Sequence, residues 1–205
     1  MWKLAAVLKG QAGSGLLDAY SVKREPVGRV NAAESRQAWE TAFNFGASPP
    51  AGRSLREVDL GYRYASIAVL DDGCRSAPPL GDQADPAAPG HRAPHLWLDP
   101  PPHERSTIDL FDQSLVLLHD PAGFGWASDA SPPPTGHDMP LIRQVITDPT
   151  WPARYGVEPS GAVLVRPDGH VGWRHRGPPI PDKSSPVELV ARVLDRLTAR
   201  VRVVA

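Results

Sequence analysis

Apolar positions recur at helical spacing from the start of the chain. In WKLAAVLK, residues 2–9, Leu4, Val7 and Leu8 fall at i, i+3 and i+4, which predicts a short helix. Gly10, Gly13 and Gly15 end it. A second helix is predicted over 16–45. Leu16, Leu17, Tyr20, Val27 and Val30 share one apolar side, and Pro26 is expected to kink or restart the helix. Residues 46–56 (GASPPAGRSLR) break the pattern. Tyr64–Leu70 (YASIAVL) reads as a short strand closed by Asp71, Asp72 and Gly73, and 75–94 reads as a long Pro- and Gly-rich loop that marks a domain boundary.

Beyond that loop the pattern changes to that of a compact α/β unit. His95–Leu98 is read as short and extended, and Ser106–Phe111 as a helical turn. Leu115–His119 (LVLLH) is a continuous apolar run of the kind a strand buried on both faces needs. A second strand is predicted over Met139–Thr147, and a loop or single helical turn over Asp148–Tyr155. Ala162–Arg166 and His170–Arg174 flank Pro167-Asp168-Gly169, a hairpin signal. The last helix is the best specified. Ser185 is the N-cap, Pro186 stands at N1 and Glu188 at N3, ahead of an apolar stripe of Val190, Val193, Leu194, Leu197 and Val201.

Composition narrows the function classes. A length of 205 residues suits one domain, or one domain with an appendage. The single cysteine, Cys74, excludes an internal disulfide, a CxxC redox pair and a cysteine zinc cage, and it reads as an inert thiol. A formal net charge of −1 offers no electrostatic case for nucleic acid or a membrane surface. No run approaches the ~18 apolar residues of a spanning helix. A cytoplasmic protein is expected.

Candidate chemistry is sparse. GQAGSG, residues 10–15, has the look of a phosphate loop, but it follows a helix where a dinucleotide fingerprint follows a strand. His91 and His95 have zinc spacing only on a helix. With Pro94 between them the segment is extended, and four residues then span ~13 Å, too far for one metal. No metal site is expected. Both histidines suit acid–base work near neutral pH, the bland alternative being hydrogen bonds to loop backbone. Tyr62, Arg63 and Tyr64 place a cation between two phenols, suited to an aromatic or anionic ligand or to plain domain packing. Asp109, Asp112 and Asp120 read as turn caps.

Several motifs together resemble a known family. Met1–Leu8 followed by Gly10, Leu16-Leu17-Asp18-x-Tyr20 and Pro26-Val27 is similar to a stretch of the FAD-dependent aromatic and polyketide hydroxylases, the para-hydroxybenzoate and phenol hydroxylase group. Leu60–Tyr64, Pro89-Gly90-x-Arg92-Ala93-Pro94-His95, Ser106-Thr107-x-Asp109-Leu110-Phe111 and Leu164–Arg174 look like successive marks of that family's C-terminal tail. The resemblance implies a mixed α/β fold: a redox-inactive thioredoxin-like domain over 95–205, an N-terminal helical arm over 1–45 left from flavin-domain helices, and a Pro-rich connector over 46–94. The family's GxGxxG entry and flavin-binding Asp have no counterpart in this sequence. Lys23-Arg24-Glu25 stands where the family usually has an acidic residue and two arginines.

The resemblance therefore leads to an expectation of no bound cofactor. Two functions are expected to compete. One is a cofactor-independent cyclase, isomerase or dehydratase acting on an aromatic polyketide-like molecule, with His91, His95 and Arg92 as catalytic groups and Tyr62, Arg63 and Tyr64 as substrate-binding groups in a groove beside the arm. The other is a non-catalytic oligomerisation or accessory subunit of a separately encoded hydroxylase, or a truncated gene fragment. The apolar side of the arm would be covered by folding onto the thioredoxin-like unit, or by a second copy or a partner flavin-domain chain. One cysteine cannot complete thiol–disulfide turnover, so the protein should not reduce insulin. Insulin reduction that Cys74→Ser abolishes would contradict this.

Overall fold

The computed structural model describes residues 2–43, 61–73, 85, 87–99, 105–126, 139–178 and 185–200. Cys74 lies outside them. Two helices come first, α1 (Trp2–Leu8) and α2 (Gly15–Phe43). Four strands follow, β1 (Leu115–His119), β2 (Leu141–Val145), β3 (Ala162–Val165) and β4 (Val171–His175), with α3 (Trp151–Tyr155) before β3 and α4 (Pro186–Leu197) at the end. The sheet order is β2-β1-β3-β4. β2 runs parallel to β1, whereas β1–β3 and β3–β4 are antiparallel, in a register that sets Leu117 opposite Leu164 and Leu164 opposite Trp173. The fold is mixed α/β, as expected.

The sheet is covered on both faces, which explains the unbroken apolar runs of β1 and β3. Leu115, Leu117, Leu164 and Trp173 pack with Val190, Val193, Leu194 and Leu197 of α4 and with Ala6, Ala12 and Leu16 of the arm. Val116, Leu118, Val163, Val165 and Val171 pack with Leu96, Ile146, Trp151, Tyr155 and Val157. Alternate residues of one strand thus feed two separate cores.

The local signals that predicted the α/β unit act as read. Ser185 Oγ accepts from the Glu188 N–H at 3.2 Å, and the Glu188 carboxylate accepts from the Ser185 N–H at 3.2 Å, a reciprocal cap. Ser106 and Asp109 do the same around a 3-10 turn, Thr107–Leu110. Gly169 closes the β3–β4 hairpin at φ +71°, a left-handed conformation that glycine takes without a Cβ clash. Asp120 accepts from the Ala122 N–H at 2.5 Å.

Other expectations need correction. Tyr64–Leu70 is not a strand; Ser66–Ala68 turns, closed by a Val69 N–H to Ser66 carbonyl bond of 2.9 Å. The backbone on either side finds distant single partners: Tyr64 N–H donates to Gly90 at 3.0 Å and Leu70 N–H to Gly172 at 2.8 Å. These separate bonds satisfy the backbone without a ladder. The second strand shrinks to Leu141–Val145. Of the kink or restart expected at Pro26, the restart does not occur, since α2 runs through it as one helix. Residues 90–93 run beside β4: Gly90 N–H donates to Val171, Val171 N–H to His91 and Ala93 N–H to Gly169, which keeps that edge from being bare.

The arm docks through its glycine turn. Gly13 N–H donates to the Thr198 carbonyl at 2.9 Å, and a Cβ at Gly13 would collide with the Ala199 carbonyl. Arg200 also bonds the Gly10 carbonyl. The start of the arm is therefore seated on the end of α4.

A buried ion network holds the chain before β1 to the sheet. The Arg174 side chain is fully buried. Its Nε donates to Asp72 at 2.7 Å, its Nη1 and Nη2 to Asp85 at 2.5 and 2.7 Å, and Nη1 also reaches the Tyr155 carbonyl at 3.1 Å. Arg176 adds a second cation to both carboxylates. Breaking a buried pair by deleting one partner costs about 3–5 kcal/mol. At about 2–4 °C per kcal/mol for a chain of this size, Asp72→Ala should lower the melting temperature by at least ~6 °C. A change within ~1 °C in a thermal melt would show that the network adds nothing.

Candidate functional site

Of the six residues singled out from sequence, Tyr62, Tyr64 and His91 are buried, Arg63 is half-buried, and Arg92 and His95 are exposed. Tyr62 and Tyr64 are buried, with stacked rings 6.3 Å apart. Both tyrosines pack against Val27 and Val30 of α2. Tyr62 Oη donates to Asn31 Oδ1 of α2. Arg63 Nε donates to the Pro89 carbonyl at 3.0 Å. Gly90 stands at φ +98°, and a Cβ there would collide with the Tyr64 carbonyl, so only glycine allows this approach.

His91 is buried next to that crossing, its carbonyl held by Val171. Arg92 is exposed and bridges to His170 through the backbone. His95 is exposed, edge-on to Trp97 at 4.5 Å. The structure thus brings Tyr62, Arg63 and Tyr64 to residues 89–91. The two tyrosine rings lie against α2, against each other and, for Tyr64, against His170.

The partners of this cluster escaped the sequence reading. The Tyr64 ring lies 4.8 Å from the His170 ring. His170 Nδ1 lies 2.9 Å from the Asp168 carbonyl and 3.5 Å from Asp168 Oδ1. The Asp168 carboxylate takes two hydrogen bonds from Arg166, from Nε at 3.0 Å and Nη2 at 2.7 Å. Arg166, wholly buried, also donates to the Ala68 carbonyl at 3.0 Å and sits 5.9 Å from the centre of the Trp2 ring. A continuous line of contacts thus runs from the hairpin through His170, Tyr64 and Tyr62 to Asn31 on α2. The available signal was the charged pair Arg166 and Asp168 flanking a tight turn inside an apolar stretch.

The chemistry these groups can do is binding and positioning. Burial by itself raises the Asp168 carboxyl, but the His170 hydrogen bond and the Arg166 charge overcome it and hold the group well below the usual carboxylate range. No cluster of three or more His, Cys, Asp or Glu among the described residues is arranged to hold a metal. No helix among them is long and apolar enough to cross a membrane. The turn that looked like a phosphate loop does not fit a flavin pyrophosphate, because Gly13 is already packed against Thr198 and Ala199.

Comparison with known proteins places this architecture. The aromatic-ring hydroxylase C-terminal family matches residues 86–197. The chain belongs to that family. The FAD-binding domain family matches residues 1–35, which carry α1 and the first part of α2. The chain is 40% identical over 187 residues to a tetracenomycin A2 monooxygenase-dioxygenase of Streptomyces glaucescens, covering 84% of this chain and 32% of that protein. It is 38% identical to a 4-methyl-5-nitrocatechol 5-monooxygenase of a Burkholderia species, covering 85% of this chain and 34% of that one. A crystal structure of aklavinone-11 hydroxylase with FAD and aklavinone superposes with a TM-score of 0.79 at 31% identity, over 97% of this chain and 38% of that one. The chain spans only about a third to two-fifths of the length of these relatives.

Because the folded carboxyl of Asp168 titrates below its unfolded value of about 3.9, its contribution to stability is full above that pH. It is lost progressively as the pH falls below it toward the folded value. Asp168→Asn should lower the melting temperature at pH 7, and the gap to the parent protein should narrow below pH ~4. A constant gap from pH 7 to pH 3 would remove this pairing from the account.

Proposed function

We propose that this chain serves as the C-terminal portion of an FAD-dependent tailoring hydroxylase for aromatic polyketide-class molecules, working together with a flavin-binding portion. The observation that carries this reading is the pairing of two family matches with one packed turn. Residues 1–35 resemble a flavin-binding domain, yet the glycine turn they contain is closed on α4 and leaves no phosphate cradle. The strand order and directions support a thioredoxin-like reading of the sheet domain, with a single cysteine and hence no redox pair.

The contribution of the chain's own residues is positional. The Asn31–Tyr62 bond and the Tyr64–His170 contact fix α2 against the hairpin, and the Arg174 network fixes the chain before β1 against the sheet. In the competing reading, a cofactor-independent cyclase, isomerase or dehydratase, His91 or His95 would move the proton, Arg63 or Arg92 would hold a phenolate or carboxylate, and Tyr62 and Tyr64 would offer aromatic faces to the substrate. Burial of His91 and of both tyrosine rings weighs against it.

The purified chain should be colourless and, given an aromatic polyketide without flavin, should return it unchanged. Combined with the flavin-binding portion of a matched relative, and supplied with FAD, dioxygen and a reduced nicotinamide, it should support insertion of one oxygen atom, the other leaving as water, read by mass spectrometry. Turnover by the chain alone, lost in His91→Ala, would favour the cyclase reading instead.

A further inference from the structure

α2 is anchored differently on the two sides of Pro26. Before it, Leu16 and Ala19 are buried, and Leu16 packs in the core with α4. Over 26–43, no side chain whose burial is described is buried. Here Val27 and Val30 are half-buried against the Tyr62–Tyr64 pair, and Asn31 accepts from Tyr62 Oη. Farther out, Trp39 and Phe43 pack on each other at 4.8 Å and stay 63% and 64% exposed, so they do not anchor this half. The change of anchoring coincides with the weakest stretch of the helix. Pro26 has no N–H, so the helix lacks its bond to the Val22 carbonyl. Gly28, two residues on, is the least favourable residue for a helix interior after proline. A Cβ at Gly28 would meet nothing within 4 Å, so no packing requires glycine there. The Glu25–Arg29 ion pair spans the stretch at 2.6 Å, but both side chains are exposed, and such pairs add little.

We propose that residues 26–28 are a hinge and that residues 29–43 form a lid over the Tyr62–Tyr64 pair, latched by the Asn31–Tyr62 bond. Closed, the lid shields the stacked phenols. Swung outward, it uncovers their aromatic faces while the first half of α2 stays seated on the core. Few buried apolar contacts hold the lid, and segments held in that way open at the lowest free energy in a folded protein. The hinge goes beyond the hydroxylase reading and does not depend on it.

The test uses the full 205-residue chain with Cys74→Ser, so that added cysteines alone take a nitroxide label. One label is placed at Ala153→Cys, exposed on α3. The other is placed either at Ala38→Cys, on the lid, or at Asp18→Cys, before the hinge; both positions are exposed on α2. Pulsed electron paramagnetic resonance reads the distance distributions. The 38–153 distribution should hold a second component, and the 18–153 distribution should be single. Asn31→Ala, which removes the latch, should raise the second component about fivefold, the effect of one net hydrogen bond. Gly28→Ala, which strengthens the helix at the hinge, should lower it about fivefold. Pro26→Ala should lower it too. The last two variants favour the helix, so a failure to fold cannot stand in for their result. A single 38–153 distribution in both the parent and Asn31→Ala would overturn the hinge. So would a second component that Gly28→Ala and Pro26→Ala leave unchanged, or one that appears equally at 18–153, which would show the whole arm leaving.

Discussion

A guanidinium with no exposed surface has to be neutralised where it stands, and Arg174 imposes that condition on this fold. It lies on β4, the last strand of the sheet, and its compensating carboxylates, Asp72 and Asp85, come from the chain well before β1. Neither segment belongs to the sheet, yet each must reach the same buried cation. Once they do, the neighbouring backbone is committed. Leu70 bonds Gly172, Gly90 bonds Val171, and Tyr64 crosses Gly90 at a distance only glycine permits. The tyrosine pair is carried to α2 by the same commitment.

The arm is held at two places of different character. At one end, backbone meets backbone: Gly13 sits on Thr198 and Ala199, just past the last turn of α4, where free carbonyls need donors. Further along, a polar side chain on α2, Asn31, accepts from a buried phenol that belongs to the segment before the sheet. Between and beyond these points α2 presents ion pairs such as Glu25–Arg29 to solvent. Gly13, in the turn that resembled a nucleotide-binding loop, is thus used for close packing, and glycine serves both purposes because both need backbone without a Cβ in the way.

Membership in the aromatic-ring hydroxylase family explains why positional contacts dominate. A C-terminal region covering about a third of a flavin enzyme has no need of its own acid–base set. Of the six candidate groups, Tyr62, Tyr64 and His91 are buried and Arg63 is half-buried, whereas Arg92 and His95 are exposed. His91, Tyr62 and Tyr64 are candidates on residue type alone. Their burial and partners are facts of tertiary structure.

What the amino-acid order determined by itself is everything carried by short-range pattern. The apolar run of β1, the Asp168-Gly169 turn, the Ser185–Glu188 cap and the two helices of the arm all depend on residues within a few positions of one another, where steric preference and hydrogen bonding act before any distant contact forms. The tertiary structure alone decided that Tyr64–Leu70 would turn instead of forming a strand, because its backbone partners, Gly90 and Gly172, lie far along the chain. It alone chose Arg174 as the meeting point of Asp72 and Asp85, some ninety to a hundred residues away in sequence. A charged residue in a sequence shows only that a counter-charge is needed. Which counter-charge arrives is settled by the folded path of the chain, since a buried ion is stable only beside the one that path delivers.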